Sequence, residues 1–246
     1  MEENHNKAIL EKLLAFGETS DPADLFPVLV PEAAQIIKTN PYAFALAVCL
    51  DRGTKADIIW TIPYWLFQDL GHLDPFKIDQ LSLEELAEVV DRLPKRPRYR
   101  TAAPRTIKEI TDLVVRVYGG DASQIWVGKS AFEIKSVFQS IYGVGEGIAN
   151  MSVLLIEQAF DLEFPELDRR FMDIKPDVHT MRVLYRLGAA REISEQEAIY
   201  AARELSPDYP GAIDGPLWTI GREYCFAFNP DCSSCPMNGI CRKSGL

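Results

Sequence analysis

Four of the chain's five cysteines fall in its last 22 residues, within the run CFAFNPDCSSCPMNGIC. Cys225, Cys232, Cys235 and Cys241 are spaced C-x6-C-x2-C-x5-C. Thiols gathered so tightly have three uses. Disulfides do not persist in a reducing cytoplasm. A structural zinc site usually brings two tight cysteine pairs, one to each side of a tetrahedron. This run has a single C-x-x-C with long arms on either side. Such an asymmetric wrap suits a [4Fe–4S] cubane better, because its four irons sit at separate corners and each takes one thiolate. Zinc and unligated thiols stay open as alternatives. Cys49, in the apolar run YAFALAVCL, reads as a buried core residue.

Upstream of the tail the signals are helical. Ser82 with Glu85, Thr106 with Glu109, Ser130 with Glu133 and Ser194 with Glu197 have capping-box spacing. Asn40-Pro41 reads as an N-cap followed by proline at the first helical position. Gly119-Gly120 and Gly188 read as stops. Ile107, Ile110, Leu113, Val114 and Val117 share one helical face, and no long alternating strand pattern exists. The expectation is an all-α protein of about ten helices. No apolar run reaches the ~18 residues of a membrane span, so no membrane partner is expected. The N-terminus MEENHNKAILEKLL lacks the basic start and apolar block of a signal peptide. The expected location is the cytoplasm, at the nucleoid in a prokaryote.

The net charge of −10 argues against a polyanionic partner. Its distribution says otherwise. From Arg92 to Lys108 there are seven Lys or Arg and no acid. Such a strip is either a solvated loop or a contact for a phosphate backbone.

The stretch YGVGEGIAN (142–150) concentrates three glycines between two apolar helical segments. Glycine costs a helix interior about 1 kcal/mol relative to alanine. In return it permits positive φ and close approach of a ligand to the backbone. The first amides of the second helix then point outward at the positive end of a dipole, which suits a phosphate. Farther on, Asp177 follows Pro176 and is placed to cap a helix starting at Val178. The amides and dipole at a helix N-terminus stabilise negative charge.

Helix, GVG, helix is the helix-hairpin-helix pattern. With the cysteine loop and the approach GPLWTIGREYC, it resembles the endonuclease III family of DNA glycosylases, over roughly residues 35 to 243. The resemblance implies two helical domains flanking a DNA groove, 38–158 with the hairpin and 1–37 plus 159–246 with the cluster loop. It implies a monomer that binds double-stranded DNA with a flipped lesion base, and a mainly structural cluster on Cys225, Cys232, Cys235 and Cys241. PDVHTMRVLYRLG matches the segment carrying the family's catalytic carboxylate, which makes Asp177 the catalytic candidate. An ionised carboxylate suits N-glycosidic cleavage, because the sugar develops oxocarbenium character. Gly143, Val144, Gly145 and Gly147 become the hairpin's DNA contacts, and His179 a helix residue near the backbone. Arg52 falls near the position of a glutamine that fills the gap left by a flipped base. Arg242 and Lys243 are further candidate contacts.

The departures narrow the chemistry. Bifunctional members carry a lysine two residues after the second glycine of GVG, where this chain has Gly147. No Schiff base can form there, so a monofunctional glycosylase is expected. A bifunctional enzyme using another lysine, or a DNA-structure-binding protein, are the alternatives. The adenine-removing branch places a glutamate on the early helix, where Val48 and Cys49 stand, and carries an extra C-terminal domain; the chain is expected to lack that activity. Gly145 to Asp177 is longer than the resemblance implies, by residues near LEFPELDRRF. Glu146 sets an acid beside the amides meant for a phosphate. Alkylated purines and mismatched pyrimidines are equally good substrate candidates.

Overall fold

The structure, a computed structural model, describes residues 2–19, 25–160 and 162–246. Residues 1, 20–24 and 161, inside the two expected domain ranges, lie outside the described residues. The described residues form helices α1 (Glu2–Glu18), α2 (Pro31–Thr39), α3 (Pro41–Leu50), α4 (Ala56–Ile59), α5 (Ile62–Leu70), α6 (Pro75–Asp79), α7 (Leu83–Arg92), α8 (Ala103–Arg116), α9 (Ala131–Gln139), α10 (Glu146–Ala159), α11 (Glu166–Arg169), α12 (Val178–Leu187), α13 (Glu195–Leu205) and α14 (Asp214–Glu223), and no strand. The fold is all-α. The helices beyond the ten expected are short pieces such as α4, α6 and α11. None of the described helices is long and apolar enough to cross a membrane.

The chain divides into two compact units, one of residues 23–162 and one of residues 1–22 with 163–246. The sequence places the change-over at 37/38. Helix α2 instead packs on α3 and α5, which carries residues 25–39 into the larger unit.

In the larger unit α3 is the central helix. Its residues from Tyr42 to Leu50 are all buried, the mark of a helix that is apolar all round. Helices α2, α5, α8 and α10 pack around it. Phe26 stacks on Trp60 at 4.8 Å, and Phe44 meets Trp126 and Phe160 edge-on. Each such buried side chain contributes roughly 1.5–3 kcal/mol. Val48 and Cys49 are fully enclosed, and burial pushes the Cys49 thiol above its usual range. That helix therefore presents no acid at their positions.

In the second unit, Ile9 and Leu13 of α1 share a core with Val183, Leu184, Leu187, Leu217 and Ile220. Helices α12 and α14 approach closely at Gly221. A Cβ there would lie 2.9 Å from the His179 Cα, so a larger residue would push the helices apart. The extra segment 162–176 is anchored by buried Phe164, Met172 and Ile174. Buried Asp173 also takes a two-pronged grip from Arg203, 2.7 Å on each oxygen.

Ser82 and Ser130 make full capping boxes with Glu85 and Glu133. Asn40 caps α3, and Gly188 ends α12 in the left-handed conformation. At Ser194 the hydroxyl caps Glu197 N, while the Glu197 carboxylate turns to Arg191 N instead. Thr106 is no cap. Helix α8 starts at Ala103 with Pro104 in its first turn, so Thr106 and Glu109 lie inside it.

Candidate nucleic-acid interface and carboxylate site

Helix α8 uses those two residues to hold the hairpin. The Tyr142 N–H donates to Glu109 Oε2 at 2.7 Å. The Tyr142 carbonyl accepts from the Thr106 hydroxyl at 3.0 Å and from Arg52 Nη1 at 3.3 Å. Arg52 Nη2 donates to Thr106 Oγ1 at 2.8 Å. Arg105 bonds Glu109 at 2.8 Å and lies 3.9 Å over the Tyr142 ring. Both backbone groups of the residue before the first hairpin glycine are thus fixed by side chains.

Gly143 has φ +84 and packs against the Arg52 guanidinium, where a Cβ would collide. Val144 is buried, so it offers a ligand only its backbone. Gly145 is the N-cap of α10, and no side chain caps the first amides. Gly145 and Glu146 are exposed, and Gly147 is half-buried in the first turn. This geometry leaves donors at a positive helix end open to an anion. The structure brings Arg52 and the hairpin together, and it places Arg52 as a brace of that turn.

The basic strip is partly spoken for. Arg92 pairs with Asp69, Arg96 with Asp91, Arg105 with Glu109, and Lys108 with Asp79 and Asp112. Lys95, Arg98 and Arg100 are exposed and carry no acid partner among the described residues.

Asp177 is the N-cap of α12. Its Oδ1 accepts from His179 N at 2.7 Å and from Thr180 N at 2.9 Å. In return Asp177 N donates to Thr180 Oγ1 at 2.9 Å. Both amides use one oxygen. The other, Oδ2, makes no hydrogen bond among the described residues. The His179 ring bonds Arg182 through Nδ1 at 3.1 Å and meets Trp218 edge-on, so its side chain is occupied within this unit.

The four cysteines line one small cavity of about 20 Å³ together with Arg186, Tyr224, Asn238 and Lys243. None is in a disulfide. Among the described residues no group of His, Cys, Asp or Glu is arranged to hold a metal. Burial, with the neighbouring sulfurs adding, pushes the Cys235 and Cys241 thiols up. Two arginines that sequence reasoning passed over tie this loop to α12. Arg182 donates to Cys225 O at 2.6 Å and Gly221 O at 2.7 Å. Buried Arg186 donates to Phe226 O at 2.7 Å, to Ala227 O at 3.1 Å and to Cys225 Sγ at 3.3 Å. Their i, i+4 spacing on the helix that Asp177 opens was the available signal. Arg242 packs along Gly188, and Lys243 has φ +56.

No protein-family model matches the chain, and no curated protein does. Solved structures are similar to it. The structure of a thermostable thymine-DNA glycosylase superposes with a TM-score of 0.65 at 19% identity, covering 97% of this chain and 96% of that one. A non-covalent endonuclease III–DNA complex gives 0.61 at 22% identity, covering 86% and 91%. A trapped endonuclease III–DNA covalent intermediate gives 0.60 at 22%, covering 86% and 92%. The chain has a DNA glycosylase-type fold. More particularly, it is the endonuclease III-like helix-hairpin-helix fold.

Proposed function

We propose that the protein is a DNA base-excision glycosylase that hydrolyses the N-glycosidic bond of a damaged or mismatched base and leaves the strand intact. The observation that carries this reading is Asp177. Its carboxyl is anchored to the α12 amides through one oxygen and keeps the other for a reacting sugar. The glycosylase fold and the open amides at Gly145 support it.

In this reading the hairpin amides hold a backbone phosphate, and a base is flipped from the stack. As the C1′–N bond breaks, charge develops on the sugar, and the Asp177 carboxylate stabilises it. The same carboxylate orients a water, whose oxygen bonds to C1′. One water proton goes to the carboxylate and from there to the departed base. Gly147 offers no amine, so no imine forms at the hairpin and the product is an abasic site. Cationic alkylated purines leave without a general acid. The likeness to a thymine-DNA glycosylase supports testing mismatched thymine and uracil beside them.

Cys225, Cys232, Cys235 and Cys241 would hold the [4Fe–4S] cluster. They line one small cavity, and their C-x6-C-x2-C-x5-C spacing, with a single C-x-x-C and long arms, suits a cluster with separate corners. The Arg186 donor at Cys225 Sγ suits a thiolate. Bound there, the cluster would cross-link the loop that Arg182 and Arg186 grip, and so steady the helix that carries Asp177.

The test is a lesion panel in duplex DNA, scored with and without hot alkali and with borohydride trapping. Release of a base, nicking only after alkali and no covalent adduct are expected. Efficient trapping would refute the monofunctional mechanism. Tight duplex binding by both wild type and Asp177→Asn, with excision by neither, would favour a DNA-structure-binding protein.

A further inference from the structure

Asp177 sits at the end of a three-residue segment whose amides are all taken by side chains. Pro176 has no N–H to offer. Asp177 N is held by Thr180 Oγ1 at 2.9 Å, and the Thr180 hydroxyl donates to Lys175 O at 3.0 Å. The remaining amide, Lys175 N, donates to Asp214 Oδ1 at 2.7 Å. Asp214 comes from 39 residues away, at the first position of α14. It is fixed there by buried Ile213, Pro216 and Leu217, with Gly17 of α1 against Pro216.

We propose that Asp214 is a positioning residue for base excision: its carboxyl clamps the Lys175 amide and thereby aims the free oxygen of Asp177. The inference rests on Asp177 being the catalytic carboxylate. Without the clamp, Lys175 N loses its bond to Asp214 in a half-buried place, and the segment before α12 loses that tether to α14. A shift of about 1 Å in a reacting group can cost about 100-fold in rate. The chemistry of the carboxyl marks it further. Burial raises its pKa to about 7, the Lys175 N–H works against that, the Asp177 charge adds to it, and the Lys175 ammonium lowers it. An ionised Asp214 makes a stronger, charge-assisted bond to Lys175 N and adds negative charge near the developing oxocarbenium ion. The rate of base release therefore rises as pH passes through neutrality.

The experiment is single-turnover base release between pH 6 and 8.5 by the full chain, as wild type, Asp214→Ala, Asp214→Asn and Asp177→Asn. Asp214→Ala is expected to lose at least about tenfold at every pH. Asp214→Asn keeps an acceptor for Lys175 N, so it is expected to regain most of that loss at pH 6 while its profile stays flat through pH 7. The Lys175 amide resonance of the wild type is expected to titrate near neutrality, which reads the clamp even if a variant folds poorly. Asp214→Ala acting as fast as wild type, or a Lys175 amide that does not respond to pH, overturns the inference and leaves the role of Asp177 standing. A wild type that excises nothing overturns the glycosylase reading itself.

Discussion

Gly143→Ala tests whether the hairpin is held as described. The native φ of +84 is a left-handed conformation, which costs an alanine about 1–2 kcal/mol. The new methyl would occupy the place of the Arg52 guanidinium, which must swing away. Arg52 then loses its bonds to Thr106 Oγ1 and Tyr142 O, at about 1 kcal/mol each. The total is about 3–4 kcal/mol, of which about 2 kcal/mol belongs to Arg52. Thr106 still donates to Tyr142 O, so that carbonyl is not stranded. Urea denaturation of wild type, Gly143→Ala, Arg52→Ala and the double variant separates the two parts. In the Arg52→Ala background the glycine substitution should cost only the backbone share, about 1–2 kcal/mol. Equal cost in both backgrounds would refute the account of Arg52 as the brace of this turn.

Other outcomes follow from the same geometry. Gly147→Lys places an amine in the first turn of α10, and borohydride trapping on lesion DNA should rise above that of wild type. Arg186→Ala removes two carbonyl grips and a donor at Cys225 Sγ. Anaerobically purified protein should then lose the broad absorption near about 400 nm faster on exposure to air. Asp214 also shapes stability. Burial lifts its folded pKa to about 7, above the ~3.9 of a free aspartate, so between these values the native state holds a proton that the unfolded chain has released. Its contribution is full below about 3.9 and is lost as pH rises to about 7. Asp214→Asn should therefore gain stability over wild type at pH 8 relative to pH 4, measured by denaturation at both.

What could be read beforehand was local. Asn40, Ser82, Ser130 and Asp177 announce helix starts within four residues, and each caps its helix. Thr106 and Glu109 have the same spacing but lie inside α8, because Pro104 already opens it. Their side chains serve a turn 33 and 36 residues away, which no local pattern encodes. Resemblance sets Arg52 near a base-filling position, and its bond to Tyr142, 90 residues away, also braces the hairpin from within. The Asp214 clamp left no trace in the sequence either, since an acid opening a helix is ordinary until its partner is known. The one-turn helices α4 and α11 are too short for periodicity to register.

The proposed role of Asp177 in base excision separates cleanly from folding. Asp177→Asn keeps an N-cap of comparable strength, so its unfolding should stay within about 0.5 kcal/mol of wild type. The direct measurement is single-turnover release of alkylated purines, and of thymine or uracil from mismatches, by wild type and this variant at equal DNA occupancy. Wild type is expected to release at least one of these bases and Asp177→Asn to lose at least about 100-fold, which is about 2.7 kcal/mol of transition-state stabilisation. A variant that excises as fast as wild type would contradict it.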